Sequence, residues 1–256
     1  MIIDSSKPLY TAADDPPQHI VAIETSSRSG SICIAADSRI LGERQLSVGT
    51  RHAAELMPAL RNLCAECGWQ AGEISQVFVS LGPGSFTGVR IAISIARGLR
   101  LATGAALVGV PSMDVIAANA PAEARDVLVV LDAKRGQVFA ARFGRGPNGK
   151  LLAVAEPELI EPAKAVARAW EDGVEVLHVM GEGIDYHRSA LGLAAAEAGE
   201  RVVEVARELW VPRSVKVHEL GRKLALAGRF TRPEAFLPTY IRLAEAEEVW
   251  RKKHGQ

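Results

Sequence analysis

The chain has 256 residues, 48% hydrophobic and 23% charged, the makeup of a folded protein of one large or two modest domains rather than a disordered tail or a disulfide-stapled scaffold. Its 30 Lys and Arg balance 30 Asp and Glu, so no global field draws in nucleic-acid backbones or acidic membranes, and a free-standing nucleic-acid binder is disfavoured. The longest charge-free stretch, residues 74–89, holds Gly82, Pro83, Gly84 and Gly88, which rules out a spanning helix, and three cysteines, an odd number, fit a reducing compartment such as the cytoplasm.

Residues 1–18 lack periodicity, carry acids at Asp4, Asp14 and Asp15 and end in Pro16-Pro17, which predicts a flexible leader. Apolar runs at 20–24, 31–36 and 39–48, separated by turn residues, predict a three-stranded antiparallel meander. In RHAAELMPALRNLCAEC, residues Ala53, Leu56, Met57, Leu60, Leu63, Cys64 and Cys67 fall at steps of three and four, one face of a helix kinked at Pro58 and stopped by Gly68. QVFVSLG is a buried strand, GPGSFTG a tight loop, VRIAISIARGLRLATGA a second helix and ALVGVPS another strand, giving two parallel crossovers and an α/β layer.

Further on, DVLVVLDA and QVFAARF read as strands joined by the turn KRG, LLAVAEPELI as a third, AKAVARAW as a helix and VEVLHVMGEG as a strand opening a glycine turn. RLAEAEEVWRKK pairs Glu247 with Arg251 and Glu248 with Lys252, the pattern of a solvated helix. The expected division is the leader, an N-terminal subdomain over 19–106 and a reduced C-terminal subdomain over 107–256.

The chemistry is sparse. LGPGSFTGVR lies between a strand and a helix, where amide groups and the helix dipole can hold an anion. Its glycines miss the dinucleotide spacing by one residue and no G-K-[ST] follows, so sharp backbone turning with Ser85 or Thr87 as helix cap competes with an anion loop of Glu24, Ser26, Gly84, Ser85 and Asp132. Glu24 and Asp132 end apolar strands, positions that suit either a metal-nucleotide or the capping of a turn. Cys64 and Cys67 sit at the end of a helix that opposes thiolate formation, which points to burial and not redox work. No two histidines have a helical metal spacing, and no serine lies in a G-x-S-x-G elbow, so no catalytic or metal residue is assigned. The helix over 89–102 is apolar on two sides, with Arg90, Ser94, Arg97 and Arg100 along one edge; either the preceding helix or another chain covers its second side.

IVAIETSSRSGSICIA, TRHAAELMPALRNL and VFVSLGPGSFTGVRIAISIARGLRLATGAALVGVPSMDVIA together resemble the TsaB family, also called YeaZ. The resemblance is close over residues 19–118 and continues in VLDAKRGQVFAARF and FLPTYIR; Glu24 stands where many relatives have Asp. It implies an α/β, actin-like or sugar-kinase-like fold of two related subdomains with mixed sheets, the second reduced. It also implies a non-catalytic role in forming threonylcarbamoyladenosine beside the anticodon of tRNAs reading codons that begin with A, alongside the transferase TsaD and the ATPase TsaE. Where the catalytic paralogue carries a His-x-x-x-His metal pair, this chain has Ser112 and Ile116, which cannot replace two imidazoles. On the resemblance, ATP and a metal ion belong to the partner subunits, this chain binds no cofactor tightly, and tRNA is held only by the complex. The family docks TsaD, or a second copy, through the helices matching 51–67 and 89–102, which makes His52, Leu56, Leu60, Leu63, Arg90, Ser94 and Arg97 the interface candidates. The competing reading is a nucleotide-dependent phosphotransferase of the same superfamily; a glycoprotease activity has no support in these residues.

Overall fold

The structure, a computed structural model, describes residues 17–47, 52–193 and 201–241. Most of the expected leader and the helix expected over 242–253 lie outside the described residues. The chain divides into two units: Met1–Asn119 with Val211–Pro238, and Ala120–Trp210 with Thr239–Gln256.

The first unit is built on β1 (His19–Glu24), β2 (Ser31–Ala36), β3 (Arg39–Gln45), β4 (Gln76–Ser80) and β5 (Ala106–Val110), in spatial order β3-β2-β1-β4-β5. β1, β2 and β3 form the expected antiparallel meander, and β4 and β5 follow in parallel. The central strands read as unbroken apolar runs because both faces are covered. Val21, Ile23, Val77 and Val79 enter one core, and Ile20, Ala22 and Phe78 enter the other.

α1 (His52–Glu66) and α2 (Phe86–Thr103) cover the first of these faces, and α1 continues through Pro58 as one element. Ser85 caps α2 by accepting from the Gly88 amide, and Gly104 ends it at φ 77°. α3 (Ser112–Ala117) follows β5.

The expected boundary at 106/107 is displaced. β5 is the parallel partner of β4 and belongs to the first sheet, so the break falls after Asn119. Periodicity identified β5 as a strand but carries no information on which sheet it joins.

The second unit repeats the arrangement. β6 (Asp126–Asp132) and β7 (Val138–Arg145) form a hairpin through Lys134, Arg135 and Gly136, all at positive φ. The expected third strand is two short ones, β8 (Leu151–Ala153) and β9 (Glu158–Ile160), pairing with opposite ends of β7. α4 (Pro162–Glu171), β10 (Leu177–Met180), α5 (Ile184–His187) and β11 (Val202–Glu204) complete it. The spatial order β8-β7-β6-β10-β11, with β10 and β11 parallel to β6, is the β3-β2-β1-β4-β5 pattern of the first unit again. This is the α/β fold of two related halves with mixed sheets.

The chain then returns to the first unit as α6 (Ser214–Leu226), an element the sequence reading did not place. Val217 and Ala225 pack with Ile20, Ala22 and Phe78, and Gly221 lies where an added Cβ would meet the Phe78 ring at 2.6 Å. Beyond α6 the chain rounds the open edge of the sheet: the Thr231 amide donates to Leu107 O at 2.8 Å, and the Gly109 amide to Thr231 Oγ1 at 3.0 Å. Phe236 then enters the core beneath α1 and α2. No helix among the described residues is long and apolar enough to cross a membrane.

Candidate functional site

Glu24 ends β1 with its carboxyl fully buried. Burial pushes its pKa above the ordinary carboxylate range, while hydrogen bonds from Ser26 and Ser80 pull the other way. One oxygen accepts the Ser26 amide at 2.5 Å and the other the Ser80 hydroxyl. The Gly-rich loop closes over this point. A Cβ at Gly84 would lie 2.2 Å from the Ser26 carbonyl oxygen, and one at Gly88 1.9 Å from that of Thr25. Glycine is required because backbone meets backbone.

Four amides of this segment are spent within the protein. Gly82 donates to Ser112 Oγ at 2.9 Å, Ser85 to Ser26 O at 2.6 Å, Gly88 to Ser85 Oγ at 3.2 Å and Val89 to Ser85 O at 3.0 Å. The Thr25 hydroxyl donates to Gly88 O at 2.8 Å. Glu24, Ser26, Gly84 and Ser85 are thus brought together as a clasp joining β1, β4 and α2, with Ser85 in the capping role and these four amides turned to the chain itself.

Asp132 belongs to the other unit. Lys134 Nζ lies 2.6 Å from one carboxyl oxygen; the Lys134 amide at 3.1 Å and His187 Nε2 at 3.2 Å share the other. Burial would raise its pKa, but the Lys134 and His187 contacts outweigh that and hold it below the ordinary value. It caps the β6–β7 turn. Ser112 and Ile116 are buried in α3, the hydroxyl of the first accepting the Gly82 amide, and no cluster of three potential metal ligands exists among the described residues.

The interface candidates separate into two groups. His52, Leu56 and Leu63 face inward, the leucines packing into the core between α1 and the sheet, while Leu60, itself buried, also lines a groove beside α1. A stripe at helical spacing marks an apolar face without saying what covers it, and here the chain's own sheet does. Arg97 is also engaged internally: its guanidinium donates to Pro233 O at 2.9 Å and Phe236 O at 3.0 Å, anchoring the returning segment. Arg90 and Ser94 are exposed, with the Arg90 guanidinium 3.6 Å over the Phe86 ring.

The outward face is instead carried by Met57 on α1 and by Phe86 and Leu101 on α2, the last 90% exposed. A groove of about 670 Å³ beside Met57 is lined by Met57, Pro58, Leu60, Arg61, Trp69 and Leu99 among others. Sequence reasoning missed Phe86 and Leu101, although both lie at the Arg90–Ser94 spacing along α2. Cys64 and Cys67 are free, and burial raises the Cys64 thiol, in keeping with a structural role.

A family model described as TsaD, tRNA N6-adenosine threonylcarbamoyltransferase, matches residues 46–242. A Bacillus subtilis (strain 168) protein named tRNA threonylcarbamoyladenosine biosynthesis protein TsaB is 27% identical over 90% of this chain and 97% of its own length. The Escherichia coli (strain K12) protein of that name is 31% identical over 55% of this chain and 64% of its own length. Two Pseudomonas aeruginosa crystal structures share the fold: one described as similar to peptidase YEAZ (TM-score 0.74, 24% identity, 88% of this chain and 100% of that one), and one named YeaZ (0.72, 24%, 87% and 99%).

Proposed function

Because this chain belongs to the TsaD family, within it to the TsaB/YeaZ group, we propose that it serves as a non-catalytic subunit in forming threonylcarbamoyladenosine on tRNA. In this reading it works in the cytoplasm, docks a TsaD transferase through the outward face of α1 and α2, and joins TsaE in a ternary assembly. The observation that carries it is the set of exposed apolar side chains Met57, Phe86 and Leu101 on α1 and α2, the helices that line the groove of the first unit. Apolar side chains gathered on paired helices gain free energy when a partner removes them from water. A specific contact of this kind buries roughly 800 Å² per partner.

The absence of catalysis is supported by residue type. Ser112 and Ile116 offer one hydroxyl, already engaged, and one alkyl chain, where the resemblance calls for two imidazoles. ATP and metal chemistry belong to the partner subunits.

The test is reconstitution of TsaD, TsaE, ATP, an activated threonylcarbamoyl donor and an unmodified tRNA with and without this chain, with the nucleoside read by mass spectrometry. The modified nucleoside forms only when the chain is present, and the chain co-elutes with TsaD. Modification by the chain alone would overturn the non-catalytic role, and ATP turnover by it in isolation would favour the phosphotransferase reading. A chain that only self-associates and never co-elutes with TsaD would replace the heterodimer with a homodimer.

A further inference from the structure

The net charge of zero conceals a strong segregation. Residues 213–232 hold six cations, Arg213, Lys216, Arg222, Lys223, Arg229 and Arg232, against one acid, Glu219; six minus one leaves +5, and the remainder of the chain carries −5. Screening at physiological salt acts over about 8 Å, so a polyanion at this surface responds to the local charge and not to the sum over the molecule.

The fold makes this segment a surface. α6 turns Val217 and Ala225 to the sheet, with Leu220 and Leu224 packed beside them. Lys216 and Lys223, two helical turns apart, share the single Glu219 at 3.0 and 2.7 Å, so one positive charge of this trio is left over. Arg213 is paired with Glu43. Arg229 and Arg232, in the turn after α6, are exposed, and their side chains make no ion pair among the described residues.

We propose that α6 and the turn carrying Arg229 and Arg232 form an RNA-backbone contact, through which this subunit grips tRNA phosphates once the complex has assembled. The proposal rests on the function proposed above, which supplies tRNA as the polyanion. An anionic membrane is a poorer fit, because a helix lying in a bilayer surface needs a free apolar face and that of α6 is consumed by the sheet. The location also suits a complex: within the first unit, α6 covers the face of the sheet opposite to α1 and α2, so tRNA and TsaD do not compete for one surface. A few phosphate contacts add little alone and much when the partner holds the same tRNA.

The experiment titrates a fluorescent unmodified tRNA transcript with the full chain, alone and premixed with TsaD, at several salt concentrations, comparing native protein with Arg229→Gln/Arg232→Gln. The variant should bind tRNA more weakly, with the slope of log K against log salt shallower by about 2, or roughly 1 per phosphate contact, at unchanged melting temperature and unchanged co-elution with TsaD. An unchanged slope and affinity in a complex that still co-elutes would overturn the RNA contact and leave the proposed function standing. Loss of co-elution in the native protein would sink the proposed function, while the titration of the chain alone still reads this surface. Binding of anionic lipid vesicles in preference to tRNA would also overturn it.

Discussion

Two leucines, one on α1 and one on α2, give opposite expectations. Leu101 is 90% exposed and Leu60 3% exposed. Leu101→Ala removes almost nothing from the folded chain, so its stability should change by no more than about 0.5 kcal/mol. If the α1–α2 face docks TsaD, nearly the whole Leu101 side chain leaves water on binding, and truncating it costs about 2 kcal/mol of association. At 1.4 kcal/mol per tenfold, that is roughly a 30-fold rise in Kd. Leu60→Ala instead leaves a cavity beneath α1 and should cost about 2–5 kcal/mol of folding. Isothermal titration against TsaD, paired with thermal melts of the free chain, separates the two. The reasoning fails if Leu101→Ala binds TsaD as tightly as native protein, or if Leu60→Ala melts at the native temperature.

Gly88→Ala should destabilise the first unit by several kcal/mol, because its Cβ would sit 1.9 Å from the Thr25 carbonyl oxygen and only backbone movement can relieve that; chemical denaturation measures the loss. Glu24 has a folded pKa above its ordinary 4.5, so its contribution is full at low pH and is lost as pH rises through the folded value. Melting curves from pH 4 upward should therefore show Glu24→Gln gaining on native protein as pH increases, and a constant difference would contradict the burial argument. Arg97→Met leaves the carbonyls of Pro233 and Phe236 without their donor, at a cost of about 1–3 kcal/mol, and limited proteolysis should cut near 233–236 faster than in native protein. Of the three thiols, Cys33 is buried with a pKa pushed up to about 12 and Cys64 is also raised, so an aromatic disulfide reagent at neutral pH should label Cys67 first.

Most of the first sheet was legible because its signals are local: alternating or continuous apolar runs bounded by Gly30, by Asp37-Ser38 and by the GPGSFTG loop. The capping role of Ser85 was legible for the same reason. α6 was not, although Val217, Leu220 and Leu224 follow helical spacing, because Gly221 and the dense cations break the look of an ordinary amphipathic helix. Gly221 is explained only by Phe78, 143 positions earlier in the chain, against which α6 lies.

The amino-acid order alone determined the element types, the tight turns and the family resemblance, since each depends on neighbours within a few residues. Tertiary structure decided everything that depends on what covers a face. It sent Leu56, Leu60 and Leu63 inward and left Phe86 and Leu101 outside, turned Arg97 into an anchor and put β5 in the first sheet. The reason is physical: hydrophobic burial is non-directional, so a sequence pattern says that a side chain seeks cover and is silent on which distant element provides it.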